Sequence, residues 1–339
     1  MNKIAFCNFH EGLNEGDILF TGHNTKIGDD LLRPFYELRQ YAAKKGIMVA
    51  SVGTLFPADA DAVVFIDMPD AKHPVFVEAK KLGKKLFLMV VESPLICPEN
   101  YDPERLVPFE KVFTYNDSAV DGQKFFKLNY AFDLPREIDS APFCRKLCVM
   151  IAGNKKQRHG EELYSERLRV IRWFEKNHPD DFDLYGFGWG KSAPGTLKFR
   201  HYLNPFRTFK ILFKRPVASY KGTVSRKRPV LAQYKFSFCY ENMRNIPGYI
   251  TEKIFDSFFA GTVPIYLGSD TVKNHIPSAC FIDKRDFKTY GDLYDHLKGM
   301  NDAAYGEHMT AIRNFLGGAA SEPFSIRNFI RIMDEHLLR

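Results

Sequence analysis

No stretch of this 339-residue chain is apolar for long enough to cross a bilayer: no run exceeds the six residues of Leu86–Val91, where a membrane helix needs about 20. No apolar leader follows Met1, which reads against a secretory signal. The six cysteines (Cys7, Cys97, Cys144, Cys148, Cys239 and Cys280) are scattered. Cys144-x3-Cys148 has no partner pair, and the ten histidines show no metal spacing, so neither a zinc site nor a disulfide scaffold is expected. Free, buried thiols in a reducing cytoplasm fit better. Internal repeats and low-complexity tracts are also missing. With 45% hydrophobic and 26% charged residues, disorder is excluded.

What is present alternates. Strand-like runs occur at residues 4–8, 47–52, 62–66, 85–91 and 111–115, with helical patterns at 30–45 and 73–82 between them. A second series begins at strand 147–152, continues through a helix near 162–177 and strand 182–185, and ends in helical stretches near 290–300, 303–316 and 325–338. Two βαβ series predict an α/β fold of two doubly wound, Rossmann-like domains facing across a cleft. The expected division is 1–135, 146–325 and a terminal helix, 326–339, packing across the cleft. A Pro-, Asp- and Ser-rich linker at Asn129–Arg145 would join the two domains.

Residues 236–268 carry the densest information. A short apolar strand (Phe236–Tyr240) delivers Glu241 and Asn242 to a turn. After the Pro247-Gly248 loop, Tyr249-Ile-Thr251-Glu252-Lys253 opens a helix with Ile250, Ile254, Phe255, Phe258 and Phe259 on one stripe. Gly261 is placed to stop it, and Val263–Leu267 reads as a second buried strand. Charged residues thus gather where strand meets helix, and the helix N-terminus with Lys253 suits a phosphate. Glu92 follows the buried strand Leu86–Val91 at its carboxyl end, the edge where such sheets place chemistry. Two patterns mislead. Gly186-Phe-Gly-Trp-Gly190-Lys191-Ser192 has three residues where a P-loop needs four. Asp59-Ala-Asp61 precedes a strand rather than ending one, and reads as a solvated turn.

The strand, Glu-Asn, loop, Tyr-Ile-Thr-Glu-Lys, helix and Pro264-to-Gly268 strand together resemble glycosyltransferase family 10, the α-1,3/1,4-fucosyltransferases that use GDP-fucose. The resemblance implies the GT-B architecture and an inverting, metal-independent transfer of fucose to an N-acetylglucosamine-containing glycan. It implies no cofactor beyond the donor substrate. Glu92, in Glu92-Ser93-Pro94, would be the catalytic base. Asn242, Tyr249, Glu252, Lys253 and Arg167 would bind GDP-fucose, with Glu241, Thr251 and Gly186 in support. Arg167 comes from the family's arginine-bearing helix, matched to Tyr164–Phe174, with Arg158 the rival. Glu252 holds either the ribose or the fucose. Animal members carry an N-terminal membrane helix, so this chain resembles the soluble bacterial form, expected in the cytoplasm. The alternatives are a GT-B enzyme using another nucleotide sugar, and a basic protein binding anionic lipid or nucleic acid on a transferase scaffold.

The net charge of +7 is concentrated: Leu184–Tyr240 holds twelve lysines and arginines and no acid. Phe199, Tyr202, Phe206, Phe209 and Phe213 interleave with them. Residues 195–218 read as an insertion, and Lys198–Arg228 as a segment for peripheral contact with the inner face of a bacterial membrane or a lipid-linked acceptor. No nucleic-acid module surrounds it.

Overall fold

The computed structural model describes residues 2–21, 29–135, 137–138, 145–157, 159–190 and 217–339. Arg158, Cys144, most of the basic insertion (including Lys198, Arg200, Arg207, Lys210, Lys214 and Arg215) and part of the expected linker lie outside the described residues. Two six-stranded sheets form the molecule. The first contains β1 (Lys3–Asn8), β2 (Met48–Ser51), β3 (Ala62–Ile66), β4 (Lys85–Val90), β5 (Lys111–Thr114) and β6 (Phe125–Lys127), in the order β2-β1-β3-β4-β5-β6. The second contains β7 (Lys146–Ile151), β8 (Phe182–Tyr185), β9 (Tyr220–Gly222), β10 (Tyr234–Tyr240), β11 (Val263–Leu267) and β12 (Ile282–Asp283), in the order β12-β11-β10-β7-β8-β9. Every neighbouring pair is parallel. The expected pair of doubly wound sheets is what the chain forms. The sequence did not announce β6, β9 and β12, because two- or three-residue edge strands are too short to show a period.

The principal helices are α1 (Arg33–Lys44), α2 (Pro74–Lys81), α3 (Tyr164–Asn177), α4 (Glu252–Phe259), α5 (Tyr290–Gly299), α6 (Asp302–Gly317) and α7 (Ile326–His336). They cover the sheets on both faces, which explains the unbroken apolar strands. In β4, Phe87 and Met89 join one core while Leu86, Leu88 and Val90 join the other, and β1 and β3 divide in the same alternating way. On one face of the first sheet the covering residues come from the far end of the chain. Phe329, Ile332 and Met333 of α7, with Leu337 and Leu338, complete the core beneath β1, β3 and α1. Each such burial contributes about 1.5–3 kcal/mol, and Lys45 pairs with Asp334 at the rim. In the expected linker, Phe132 stacks on Phe255 at 4.4 Å and belongs to the second core.

The domains also meet near the carboxyl ends of their strands. Tyr249 is 1% exposed and packs in the first domain's core, its ring centre 4.9 Å from that of Tyr115. Asp117, after β5, accepts hydrogen bonds from Thr271 Oγ1 (2.9 Å) and His275 Nε2 (2.8 Å) of the second domain. Gly248 sits between, at φ +73°. A Cβ there would fall on the Tyr115 carbonyl oxygen and come within 2.6 Å of Lys127 Nζ and 2.9 Å of Asp117 Oδ1. We therefore expect Gly248→Ala to cost about 2–4 kcal/mol in urea denaturation, from backbone strain and collision together. Gly83→Ala is the control, because Gly83 has φ +63° but nothing within 4 Å of its added Cβ. That change should cost only about 1–2 kcal/mol; equal losses would remove the interdomain collision from the account.

Candidate active site at the facing strand ends

In the second sheet the strand order reverses between β7 and β10, and open α/β sheets bind ligands in the crevice outside such a reversal. Glu241 follows β10 there with its side chain turned inward, 0% exposed. Its carboxylate accepts from Thr251 N–H (2.9 Å), Thr251 Oγ1 (2.7 Å) and Lys253 Nζ (3.0 Å). Gly268 makes the room, since a Cβ would stand 2.5 Å from Glu241 Cγ. These bonds hold Thr251 in an extended conformation (φ −102°, ψ −170°), so the helix begins at Glu252 rather than at Tyr249. The charges then alternate. Lys253 also lies 3.6 Å from Glu252 Oε1, and Lys227 reaches Glu252 (3.4 Å) and Asp256 (2.7 Å). Burial would raise the Glu252 carboxyl, but Lys253 and Lys227 outweigh it and pull it down to about 2. For Asp256 burial wins, pushing it up to about 6 despite Lys227. Burial works against the Lys253 charge, yet Glu241 and Glu252 hold its ammonium above its usual range.

Arg167, from the first turns of α3, is 5% exposed. Its Nη2 donates to Tyr240 O (2.6 Å), Glu241 O (2.8 Å) and Asn242 Oδ1 (3.1 Å). One nitrogen thus fixes the end of β10, while Nε and Nη1 bond no described residue. Arg167, Lys155, Lys156, Tyr164, Ser165 and Trp189 help line a cavity of about 400 Å³ beside the loop that follows β7. The structure therefore gathers Arg167, Glu241, Asn242, Thr251, Glu252 and Lys253 around one strand end.

Two expected site residues sit differently. Tyr249 presents only its hydroxyl to the group, accepting from Asn242 Nδ2 at 3.4 Å, and its ring is spent in the interdomain core. Gly186, at φ +129°, lies so close to Ala152 that a Cβ would strike the Ala152 carbonyl. Its smallness serves the approach of the β7 and β8 ends. Lys227, counted above with the basic segment, is turned inward onto Glu252 and Asp256 and is not free to face a membrane.

Across the cleft, Glu92 ends the β4 run. Its peptide N–H donates to Asp67 Oδ1 (2.9 Å), and its carbonyl accepts from Tyr101 and Tyr115 hydroxyls (3.0 and 3.2 Å). The backbone is clamped, and the carboxylate itself has no hydrogen bond among the described residues. Burial pushes the Glu92 carboxyl above its ordinary range, opposed by Lys253, Lys155 and His10 and reinforced by Glu252. Charges from both domains therefore act on it. Among the described residues no three His, Cys, Asp or Glu side chains converge to hold a metal ion, and no helix is long and apolar enough to cross a membrane.

Asp67 was missed by sequence reading, although it ends β3 as Glu92 ends β4. It is 3% exposed at φ +62°. Its Oδ1 accepts from Val91 N–H (2.8 Å), Glu92 N–H (2.9 Å) and Asn100 Nδ2 (2.7 Å). Burial lifts its carboxyl to about 7 against those bonds. A carboxyl raised on folding contributes stability that is complete below its unfolded value near 4 and is lost as pH rises through about 7. Asp67→Asn keeps the accepting oxygen and removes the titration. Between about pH 5 and pH 8 the wild type should lose roughly 1–3 kcal/mol relative to the variant in chemical denaturation. Parallel stability–pH curves would show that Asp67 titrates normally.

Known proteins resemble this chain in part of its sequence and in its fold. Residues 212–315 match the family model described as glycosyltransferase family 10 (fucosyltransferase) C-term. An alpha-(1,3)-fucosyltransferase of Helicobacter pylori is 41% identical over 75 residues, 22% of this chain and 16% of that protein. Human alpha-(1,3)-fucosyltransferase 7 is 38% identical over 80 residues, 23% of each chain. The matched stretch thus spans less than a quarter of the curated relatives' length. A crystal structure of an alpha1,3-fucosyltransferase with GDP superposes at TM-score 0.58 and 17% identity, covering 99% of this chain and 90% of that one. Anabaena Alr3699/HepE in complex with UDP reaches TM-score 0.57 at 11% identity, covering 99% of each chain. At those identities the likeness is one of fold, the two-domain GT-B arrangement.

Proposed function

We propose that this chain, whose residues 212–315 match the C-terminal model of glycosyltransferase family 10, transfers L-fucose from GDP-fucose to a glycan containing N-acetylglucosamine, with inversion and without a metal. The observation that carries the reading is the opposition of two unlike groups across the cleft. Glu92, whose carboxylate bonds no described residue, feels Lys253 and Lys155 of the other domain. Beside those cations two nitrogens of Arg167 bond no described residue. A base facing an anion seat is the arrangement that a single displacement from a nucleotide sugar requires.

In that displacement the acceptor hydroxyl oxygen forms its bond to the fucose anomeric carbon as the carbon–oxygen bond to the β-phosphate breaks. The hydroxyl proton passes to Glu92, and the leaving electron pair stays on GDP. Lys253 and Arg167 oppose the charge growing on the β-phosphate, and the buried Glu241 keeps the Lys253 ammonium in place at 3.0 Å. Asn242, held by Arg167, and Glu252, held ionised by two lysines, orient the sugar or ribose hydroxyls. The expected membrane contact through Lys198–Arg228 rests on the sequence, because all of that segment before residue 217 lies outside the described residues.

Glu92→Gln should leave the shape of the strand end intact and lower fucose transfer by about 10²- to 10⁴-fold. The loss should appear in kcat and kcat/KM alike, with GDP-fucose still stabilising the fold in a thermal-shift assay. Near-wild-type turnover would remove Glu92 as the base, and stabilisation by UDP-glucose in place of GDP-fucose would favour another nucleotide sugar. Because side-chain cations supply the positive charge, turnover should also survive excess EDTA. Loss on chelation with recovery on Mn²⁺ or Mg²⁺ would overturn that part of the mechanism.

A further inference from the structure

The reading above leaves a buried hydroxyl beside Arg167 unexplained. Tyr164 opens the 14-residue α3 and is 5% exposed, yet its hydroxyl has no hydrogen-bond partner among the described residues. Buried hydroxyls are seldom left so, because losing water without replacing it is unfavourable. The end of the helix is not itself vacant: the Glu162 carboxylate accepts from Ser165 N–H at 2.9 Å. At the start of the helix the unpartnered group is the phenol.

Its surroundings indicate what it awaits. The Tyr164 ring lies under the Arg167 guanidinium, 5.0 Å from the ring centre, and lines the same cavity as Lys155, Lys156 and Arg167. Burial pushes the Tyr164 hydroxyl above its ordinary pKa, Arg167 and Lys253 act against that rise, and Glu92 and Glu162 add to it. The phenol therefore keeps its proton at neutral pH and can only donate to an incoming anion. Acids and bases from both domains act on it, so the hydroxyl belongs to the cleft.

We propose that the Tyr164 hydroxyl is a ligand-binding donor, hydrogen-bonded to a phosphoryl oxygen of the nucleoside diphosphate beside the free nitrogens of Arg167. The proposal rests on the nucleotide-sugar reading and extends it to a residue that no spacing or resemblance pointed to. A phenol held on Arg167 gives the seat a neutral, directional bond where the lysines offer only point charge.

Tyr164→Phe removes one oxygen and tests this directly. The unliganded variant should melt at or above the wild-type temperature, because no bond within the protein is lost. Calorimetry should show GDP and inorganic pyrophosphate each binding about tenfold or more weakly, the usual scale for a hydrogen bond to a charged group, while guanosine binding is unchanged. Unchanged GDP affinity, or a loss seen with guanosine and not with pyrophosphate, overturns the proposal. A lower melting temperature of the free variant also overturns it, since the hydroxyl would then have a structural partner. If wild type binds neither GDP nor pyrophosphate, the donor reading itself falls; if only the variant comparison fails, that reading stands without Tyr164.

Discussion

A carboxylate with no access to water organises the second domain. Glu241 stands at the end of a central strand, where an unpaired charge would cost several kilocalories per mole. Everything around it answers that cost. Thr251 turns its N–H and hydroxyl inward instead of capping its helix, Lys253 folds back onto the same oxygens, and Gly268 gives up a side chain to make room. The start of α4 and the orientation of its first lysine follow from this one neutralisation. Lys253 is thereby held in place at the start of α4 with its ammonium charge retained.

The first domain solves the converse problem. Burial raises the Glu92 carboxyl while its backbone is fixed and its side chain bonds no described residue. Asp67, Tyr101 and Tyr115 take up the Glu92 peptide groups. Tyr115 does so while packing against Tyr249 of the other domain, so the clamp on Glu92 and the contact between domains share a side chain. The Asp117 bonds to Thr271 and His275, and α7 lying on the first sheet, hold the facing edges in register. The cleft is as much a product of these contacts as of the sheets.

Much of this was legible in the residues. The run Leu86–Val91 reads as a strand buried on both faces because an all-parallel sheet covered by helices leaves no polar side, and the β4 residues divide between two cores accordingly. Ile254, Phe255 and Phe258 on a helical stripe, with Gly261 at φ +64° after it, are equally local signals. The short edge strands were not legible, nor was the true start of α4, where a long-range carboxylate overrides the local preference of Tyr-Ile-Thr. Lys227 read as one more surface cation in a basic stretch, since composition carries no direction. Asp67 and Tyr164 passed unnoticed because each is defined by its partners, or lack of them, and not by spacing.

The order of elements, the two parallel sheets and the strand ends at which chemistry collects are properties of the sequence alone, because periodicity and turn chemistry act over a few residues. Only the tertiary structure decided which charges meet. Glu92 and Lys253 are 161 residues apart in the chain, and their mutual influence depends on how two separately folded sheets are set face to face. The burial that raises one carboxyl at Glu92 and the lysines that lower another at Glu252 act through space. Electrostatic interactions scale with distance and dielectric, and neither is written in the order of residues.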